Sequence, residues 1–264
     1  MLIKSEGATK ALSTTVVLLG ALFVWRYSTT VMGWIPESRF PQPHEVWAAL
    51  QFILHEGYGN GTLLNHVLHS LQLVAMGFSV ATFVGVLLGL LMGFSKKVEA
   101  FLNPAFLVLR PIPPLAWIPL AIVWLGLGDG AKVMVIFVAA FVPALINTFT
   151  GVRQIEQPIR EAASMLGTRG FRLFWHVLIM GGLPMIFTGL RLSLQASWTT
   201  LVAAELIGAA FGLGSILNQA AQDIYPAMIL LAMMMVGLAG GFTSWLLAQI
   251  ERRALAWHPS MGVK

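Results

Sequence analysis

The sequence predicts an all-α membrane protein with six transmembrane helices, and three observations predict it. Of its 264 residues 57% are hydrophobic and only 10% charged, against about 25% charged in an ordinary soluble domain. Apolar runs near the roughly 20 residues that a spanning helix needs recur along the chain. Basic residues collect in the short segments between alternate runs, as they do when charge sets orientation in a bilayer. The length suits a single membrane domain, residues 1–264, with a first span and external loop over 11–65 and a core over 66–253.

The first run, residues 11–31, is interrupted only by Arg26. Its bulky flank of Trp25, Arg26 and Tyr27 fits a retained span better than a cleaved leader. Residues 36–65 mix Pro, His, Glu and Gly into short apolar stretches and read as a helical cap near the headgroups. Residues 71–94 are charge-free and precede Lys96 and Lys97, residues 105–127 carry a proline cluster, and residues 133–152 follow a Gly-Asp-Gly turn. Residues 183–207 hold Arg191 and Glu205, and residues 224–250 are charge-free up to Glu251, Arg252 and Arg253. Lys4, Lys10, Lys96, Lys97, Arg153, Arg160, Arg169, Arg172, Arg252 and Arg253 fall on one side, with Arg39 and Lys132 on the other. The first side, with both termini, is expected to be cytoplasmic.

Several functions are excluded. The net charge of +5 lies in loops between spans, so it speaks of orientation and not of nucleic acid. Without cysteine there is neither disulfide nor thiolate metal site. His66 and His69 stand three apart with no third ligand nearby, so no metal is expected. No Gly-x-x-x-x-Gly-Lys-Ser/Thr phosphate loop, Gly-x-Ser-x-Gly elbow or His-Glu-x-x-His pair occurs. The chain is not expected to be an enzyme, and energy for any transport must come from a partner or an ion gradient.

The run RPIPPLAWIPL, residues 110–120, places Arg110, Pro111, Pro113, Pro114 and Trp117 within the third run. Proline in a helix interior removes a donor and clashes with the preceding turn. Broken helix at membrane depth is tolerated where it is buried in protein or lines a watery cavity. The third run is therefore expected to be a kinked span facing away from lipid, either as a moving pathway wall or as a fixed packing kink. Arg110 reads as an interfacial anchor or as a positive charge at the inner mouth. Arg191 lies deeper and needs a cavity or a partner on a neighbouring span. Trp198, Thr199 and Thr200 suit close helix packing, and Glu205 suits a cap on an adjacent helix or an outer gate. Gly208, Gly212 and Gly214 read as a flexible external turn.

The loop QPIREAASMLGTRGFRLFWHVLIMGGLP, residues 157–184, is more than a connector. Pro158 opens and Gly167 closes a short helix with Ile159, Ala162, Ala163 and Leu166 on one face. After Gly170 a second short helix is expected, with Phe171, Phe174, Trp175 and Leu178 on its apolar side. Such a pair docks on lipid or on protein, and small alanines favour protein.

Glu161-Ala162-Ala163, then Gly167, then a following Leu-Pro resemble the EAA loop of ABC-importer permeases. One departure stands out: Ile179 and Met180 occupy the pattern's Leu-Pro positions, and Leu183-Pro184 comes four residues later. RPIPPLAWIPLAIVWLGLG, GLRLSLQASWTTLVAAELIGAAFGLG and the terminal LAWHP extend the resemblance to the taurine, aliphatic sulfonate and nitrate permeases. It covers most of the chain from residue 70 onward.

The resemblance implies a type I ABC importer permease (MetI-like) core, working as a homodimer in the cell inner membrane. Two ABC ATPase subunits would dock through Glu161, Ala162, Ala163, Leu166 and Gly167. An extracytoplasmic substrate-binding protein would deliver a small anion such as taurine or another sulfonate, with nitrate, bicarbonate and aromatic acids as other candidates. Arg110, Pro111, Pro113, Pro114, Trp117, Arg191, Trp198, Thr199, Thr200 and Glu205 would line the pathway or its gates. No cofactor is expected in this chain; ATP and Mg would be bound by the partner ATPase. The rival reading, an ion-gradient-driven secondary transporter, calls for intramembrane acids or matched half-repeats. The sequence offers one such acid, Glu205, and no such halves.

Overall fold

The computed structural model describes residues 15–17, 19–31, 40–168 and 170–257, and among them it is helical throughout apart from turns and one isolated bridge, Tyr58 to Gly61. Lys4, Lys10, Arg39, Arg169, part of the first predicted span and the His258-Pro259 end of the LAWHP run lie outside the described residues. Residues 19–26 are helical and continue into a π turn, Tyr27–Val31. Trp25 Nε1 donates to the Pro41 carbonyl at 3.0 Å, which ties this segment to the residues that lead into the helix at Pro43.

The main helices among the described residues are α1 (Pro43–His55), α2 (Leu63–Phe94), α3 (Lys96–Leu109), α4 (Ile118–Leu125), α5 (Asp129–Arg153), α6 (Gln157–Met165), α7 (Met180–Gly208), α8 (Leu213–Gln222) and α9 (Pro226–Ala254). Among the described residues α2, α5, α7 with its preceding turn, and α9 are each long and apolar enough to span a bilayer. A bent pair built from α3 and the segment Pro114–Leu125 makes a fifth candidate span.

The core is a layer of α2, α5 and α7 with α5 in the middle. Gly77, Ala81, Gly85, Gly89 and Gly93 fall every fourth residue along α2. Small residues on such a ridge let helix backbones approach closely. The fit is tight: an added Cβ would come within 2.5 Å of Ile136 at Gly77 and within 2.6 Å of Val152 at Gly93. Both residue numbers rise together along this contact, so α2 and α5 run parallel. The segment between them must therefore return from one end of the layer to the other, and the bent pair makes that return. On the far side of α5, Ser193 Oγ of α7 donates to the Ala140 carbonyl at 2.6 Å. There α7 runs antiparallel, since Gly189 meets Asn147 while Gly151 meets Met185.

Three expectations are corrected. The third run is not one kinked helix: α3 stops at Leu109, and the chain turns by 83° before Pro114–Leu125. The prolines end one helix and start the next. Pro113 is extended at φ −59, ψ 134, as a residue before proline prefers, and Pro114 and Pro119 take first-turn positions where no donor is needed. The span expected from residue 71 starts at Leu63, because the Thr62 hydroxyl accepts the Asn65 N–H at 3.5 Å and caps it. The second short helix of the 157–184 loop is not separate. Phe171–Leu173 and a π turn, Phe174–Ile179, run directly into α7, and the π turn lies between Gly167 and the displaced Leu183-Pro184.

Candidate functional site

α6 is the first candidate. Pro158 sits in its first turn, and its end is closed by hydrogen bonds from Gly167 N to Ser164 O at 3.1 Å and from Thr168 N to Ala163 O at 2.9 Å. That pair is a Schellman closure, and it needs the left-handed φ of +80 that Gly167 supplies. No residue of α6 is buried. Met165 and Leu166 are each 86% exposed, and Ile159 is exposed as well. Glu161 and Ala162 are exposed, Ala163 is half-buried, and Gln157 Nε2 donates to Glu161 Oε1 at 2.6 Å. All five predicted coupling residues therefore share one uncovered element. Met165 stands exposed beside them, although it lies off the i, i+3, i+4, i+7 face.

The ten predicted pathway residues do not share one lumen within the chain; they fall into three places. Arg110, Pro111, Pro113, Pro114 and Trp117 form the bend, where Trp117 packs beside Ile118, Ala121 and Ala204. Arg191, Trp198 and Thr199 line a groove of about 340 Å³ between α7 and α9, with Gly237, Gly241 and Ser244 opposite. Thr200 and Glu205 are buried.

In the groove, Arg191 pairs through Nε and Nη2 with Glu251 Oε2. The Glu251 side chain is 5% exposed and that of Arg191 is 55% exposed, so the carboxylate is enclosed while the guanidinium faces the groove. The cross-span partner expected for Arg191 is thus a carboxylate that the sequence marked only as a span end. Trp198 Nε1 donates to Thr243 Oγ1 at 3.0 Å and staples α7 to α9. Thr188, Arg191, Gln195 and Thr199 form an exposed polar stripe along α7 at helical spacing.

Glu205 closes the end opposite α6. Its carboxylate accepts the Gly214 N–H and the Ser70 hydroxyl, each at 2.8 Å. Ser70 Oγ in turn accepts the Leu213 N–H at 2.9 Å. Two first-turn donors of α8 are thereby satisfied, and the anion sits where the helix dipole favours it. Of the two roles left open for Glu205, this geometry is that of the cap. His66 Nδ1 accepts the Gly212 N–H at 3.0 Å, which leaves Nε2–H for the Tyr58 carbonyl at 3.1 Å. His69 instead meets Asp129, which also accepts from Lys132 at 2.9 Å. The two histidines are occupied by different partners. In the turn expected at Gly208–Gly214, Gly212 adopts φ +123, and a Cβ there would collide with the Glu205 carboxylate.

Beyond this lock the Tyr58 hydroxyl donates to Asp223. Burial first, and the Asp223 carboxylate second, raise the Tyr58 phenol above its ordinary value. A polar cavity of about 250 Å³ lies alongside, lined by residues that include Asn60, Asn218, Gln219 and Asp223.

Residues 81–255 match the family model of the binding-protein-dependent transport system inner membrane component. The chain is 32% identical over 255 residues to the taurine transport system permease protein TauC of Escherichia coli K12, covering 96% of this chain and 91% of that protein. It is 35% identical over 245 residues to the bicarbonate transport system permease protein CmpB of Synechococcus elongatus, covering 89% and 87%. With the nitrate import permease protein NrtB of Synechocystis it shares 34% identity over 247 residues, covering 92% and 88%.

Proposed function

The chain belongs to the binding-protein-dependent transport system inner membrane components, and from that premise we propose that it is the permease of an ATP-driven importer for a small anion, taurine or another sulfonate first. It is a multi-pass inner-membrane protein and a transport component, not itself an enzyme. Its system is an ABC system with an ATPase and a binding protein as partners. The relatives' printed substrates, taurine, bicarbonate and nitrate, are all small and each carries an anionic oxygen-bearing group at neutral pH, taurine as a zwitterion, and that shared group supports the substrate class.

One observation carries the coupling role: α6 is a sharply terminated helix that buries none of its own residues. An uncovered Met165 and Leu166 at its end suit a partner's groove. Two ATPase subunits dock there, one per permease copy, through Glu161, Ala162, Ala163, Leu166 and Gly167. The α6 end also carries Lys96, Lys97, Arg153, Arg160, Arg172, Arg252 and Arg253, while Lys132 lies at the opposite end, which supports a cytoplasmic α6 with both termini on the same side. The remaining segment near the N-terminus completes a six-span, type I architecture.

A second copy covers the groove. The polar stripe of α7 and the uncovered Gly237 and Gly241 of α9 suit close packing against another helix better than contact with hydrocarbon. The pathway then runs between the copies past Arg191 and Thr199, with the bend at Arg110 to Trp117 as part of its wall. The polar outer cavity receives the binding protein.

The test is co-purification with the ATPase of its system, comparing the unaltered protein with a Glu161→Arg, Gly167→Asp variant. Capture by the first and loss by the second, with normal membrane insertion, is the expected result. Equal capture places docking elsewhere. No capture of a folded ATPase by either removes the reading of α6 as the docking element.

A further inference from the structure

Arg160 stands on α6 but reaches back to the body of the protein. Its Nη2 donates to the Val152 carbonyl at 2.7 Å and lies 3.4 Å from the Arg153 carbonyl. These carbonyls belong to the last turn of α5, where intrahelical partners run out and a cation is favoured. The site gripped is not a loose end. Val152 is fully buried; its side chain fills the space where a Cβ on Gly93 of α2 would fall, 2.6 Å away, and packs against Gly182 of α7, whose Cβ position lies 3.4 Å off. Arg160 therefore holds the point where all three core helices meet.

The next residue extends the chain of contacts. Arg153 pairs with Glu99, in the first turn of α3, and its guanidinium lies 5.4 Å over the Phe149 ring. α3 is the first limb of the bent pair and buries no residue of its own. A salt bridge is thus a principal tie between that limb and the α5 terminus.

We propose that Arg160, the Val152–Arg153 terminus of α5 and Glu99 form a mechanical link that carries movement of α6 to the broken span. The link rests on the reading of α6 as the coupling helix, and it adds two residues, Arg160 and Glu99, as positioning residues for transport. A close-packed junction has little slack, so a pull on its carbonyls displaces the helix end as a unit. An ion pair at that end passes the displacement to α3, and the 83° turn delivers it to Pro114–Leu125. A measured interaction between the two ends tests the coupling.

The chain has no cysteine, so one reporter thiol reads the bend cleanly. Leu115, 47% exposed just past the turn, takes it as Leu115→Cys. Maleimide labelling is timed in the purified complex with the ATPase, first without nucleotide and then trapped with ATP and vanadate. Trapping should change the rate in the reporter protein by about fivefold or more. Adding Arg160→Gln or Glu99→Gln should abolish that change while ATPase capture and hydrolysis persist, and the two together should do no more than either alone. Arg160→Lys, which still reaches a carbonyl, should restore part of it.

An unchanged labelling response in Arg160→Gln or in Glu99→Gln overturns the link. Loss of ATPase capture by Arg160→Gln overturns it too, since the residue would then merely hold α6 in shape. Failure of the reporter protein itself to capture the ATPase removes the coupling-helix reading, and the link falls with it.

Discussion

Glu205 of α7 and Ser70 of α2 share one hydrogen bond at 2.8 Å, and between them they accept two backbone N–H groups of α8. Three helices are locked by a carboxylate that is completely buried. Glu205→Ala would leave the Gly214 N–H and the Ser70 hydroxyl without their partner, a cost of about 1–3 kcal/mol for each buried group. Glu205→Gln keeps one acceptor and should cost less. Thermal unfolding in detergent should rank the proteins unaltered, then Gln, then Ala.

The glycine ridge of α2 makes a contrasting pair of predictions. A Cβ on Gly89 would meet the Leu145 carbonyl at 2.8 Å, so Gly89→Leu must push α2 and α5 apart. Overpacking of this kind costs about 1–3 kcal/mol. Gly237 has nothing within 4 Å, so Gly237→Leu should leave the Tm of the single chain unchanged. If a second copy packs on that face, the same variant should lower the dimer fraction in light scattering. A dimer fraction unaffected by Gly237→Leu would move the interface off this groove.

The Arg191–Glu251 pair should be asymmetric. Removing the guanidinium strands a carboxylate that is 5% exposed, whereas removing the carboxylate leaves an arginine that is 55% exposed and able to hydrate. Half-exposure weakens the pair, while an uncompensated buried charge remains costly. Arg191→Ala should therefore destabilise by about 1–3 kcal/mol, and Glu251→Ala by less. Chemical unfolding of both variants in the same detergent decides the order.

Tyr58 should titrate later than an ordinary tyrosine. Its raised phenol means that the folded state holds a proton which the unfolded chain releases near pH 10. The stability from the Tyr58–Asp223 contact is therefore complete below that pH and is lost as the pH rises through the higher folded value. Absorbance titration should show the delayed phenol, and Asp223→Asn should bring it back towards the ordinary range.

Much of the site was legible one residue at a time and little of it as assembly. Pro158 and Gly167 bracket α6 as expected, because a first-turn proline and a left-handed glycine act through their own backbone. Arg191 announced the need for a partner by sitting inside an apolar run, yet nothing in the chain pointed to Glu251, 60 residues on. The ridge at Gly77, Ala81, Gly85, Gly89 and Gly93 was there to be read as a small residue every fourth position. Its meaning, a close parallel contact with α5, depends on which helix faces it.

The sequence by itself determined the solvent, the helical class, the long apolar elements and the places where backbone geometry must change. Those follow from local physics: unpaired backbone groups are too costly in hydrocarbon, proline lacks a donor, and glycine reaches positive φ. Only the tertiary structure decided that the proline run divides a span at 83° and does not merely kink it. It alone placed Glu205 as a buried cap and joined Arg160 to the helix end that Arg153 ties to Glu99. Proline marks where a helix is interrupted, but the angle and the partners are set by packing against distant elements. That information lies in the fit between helices and not in any one of them.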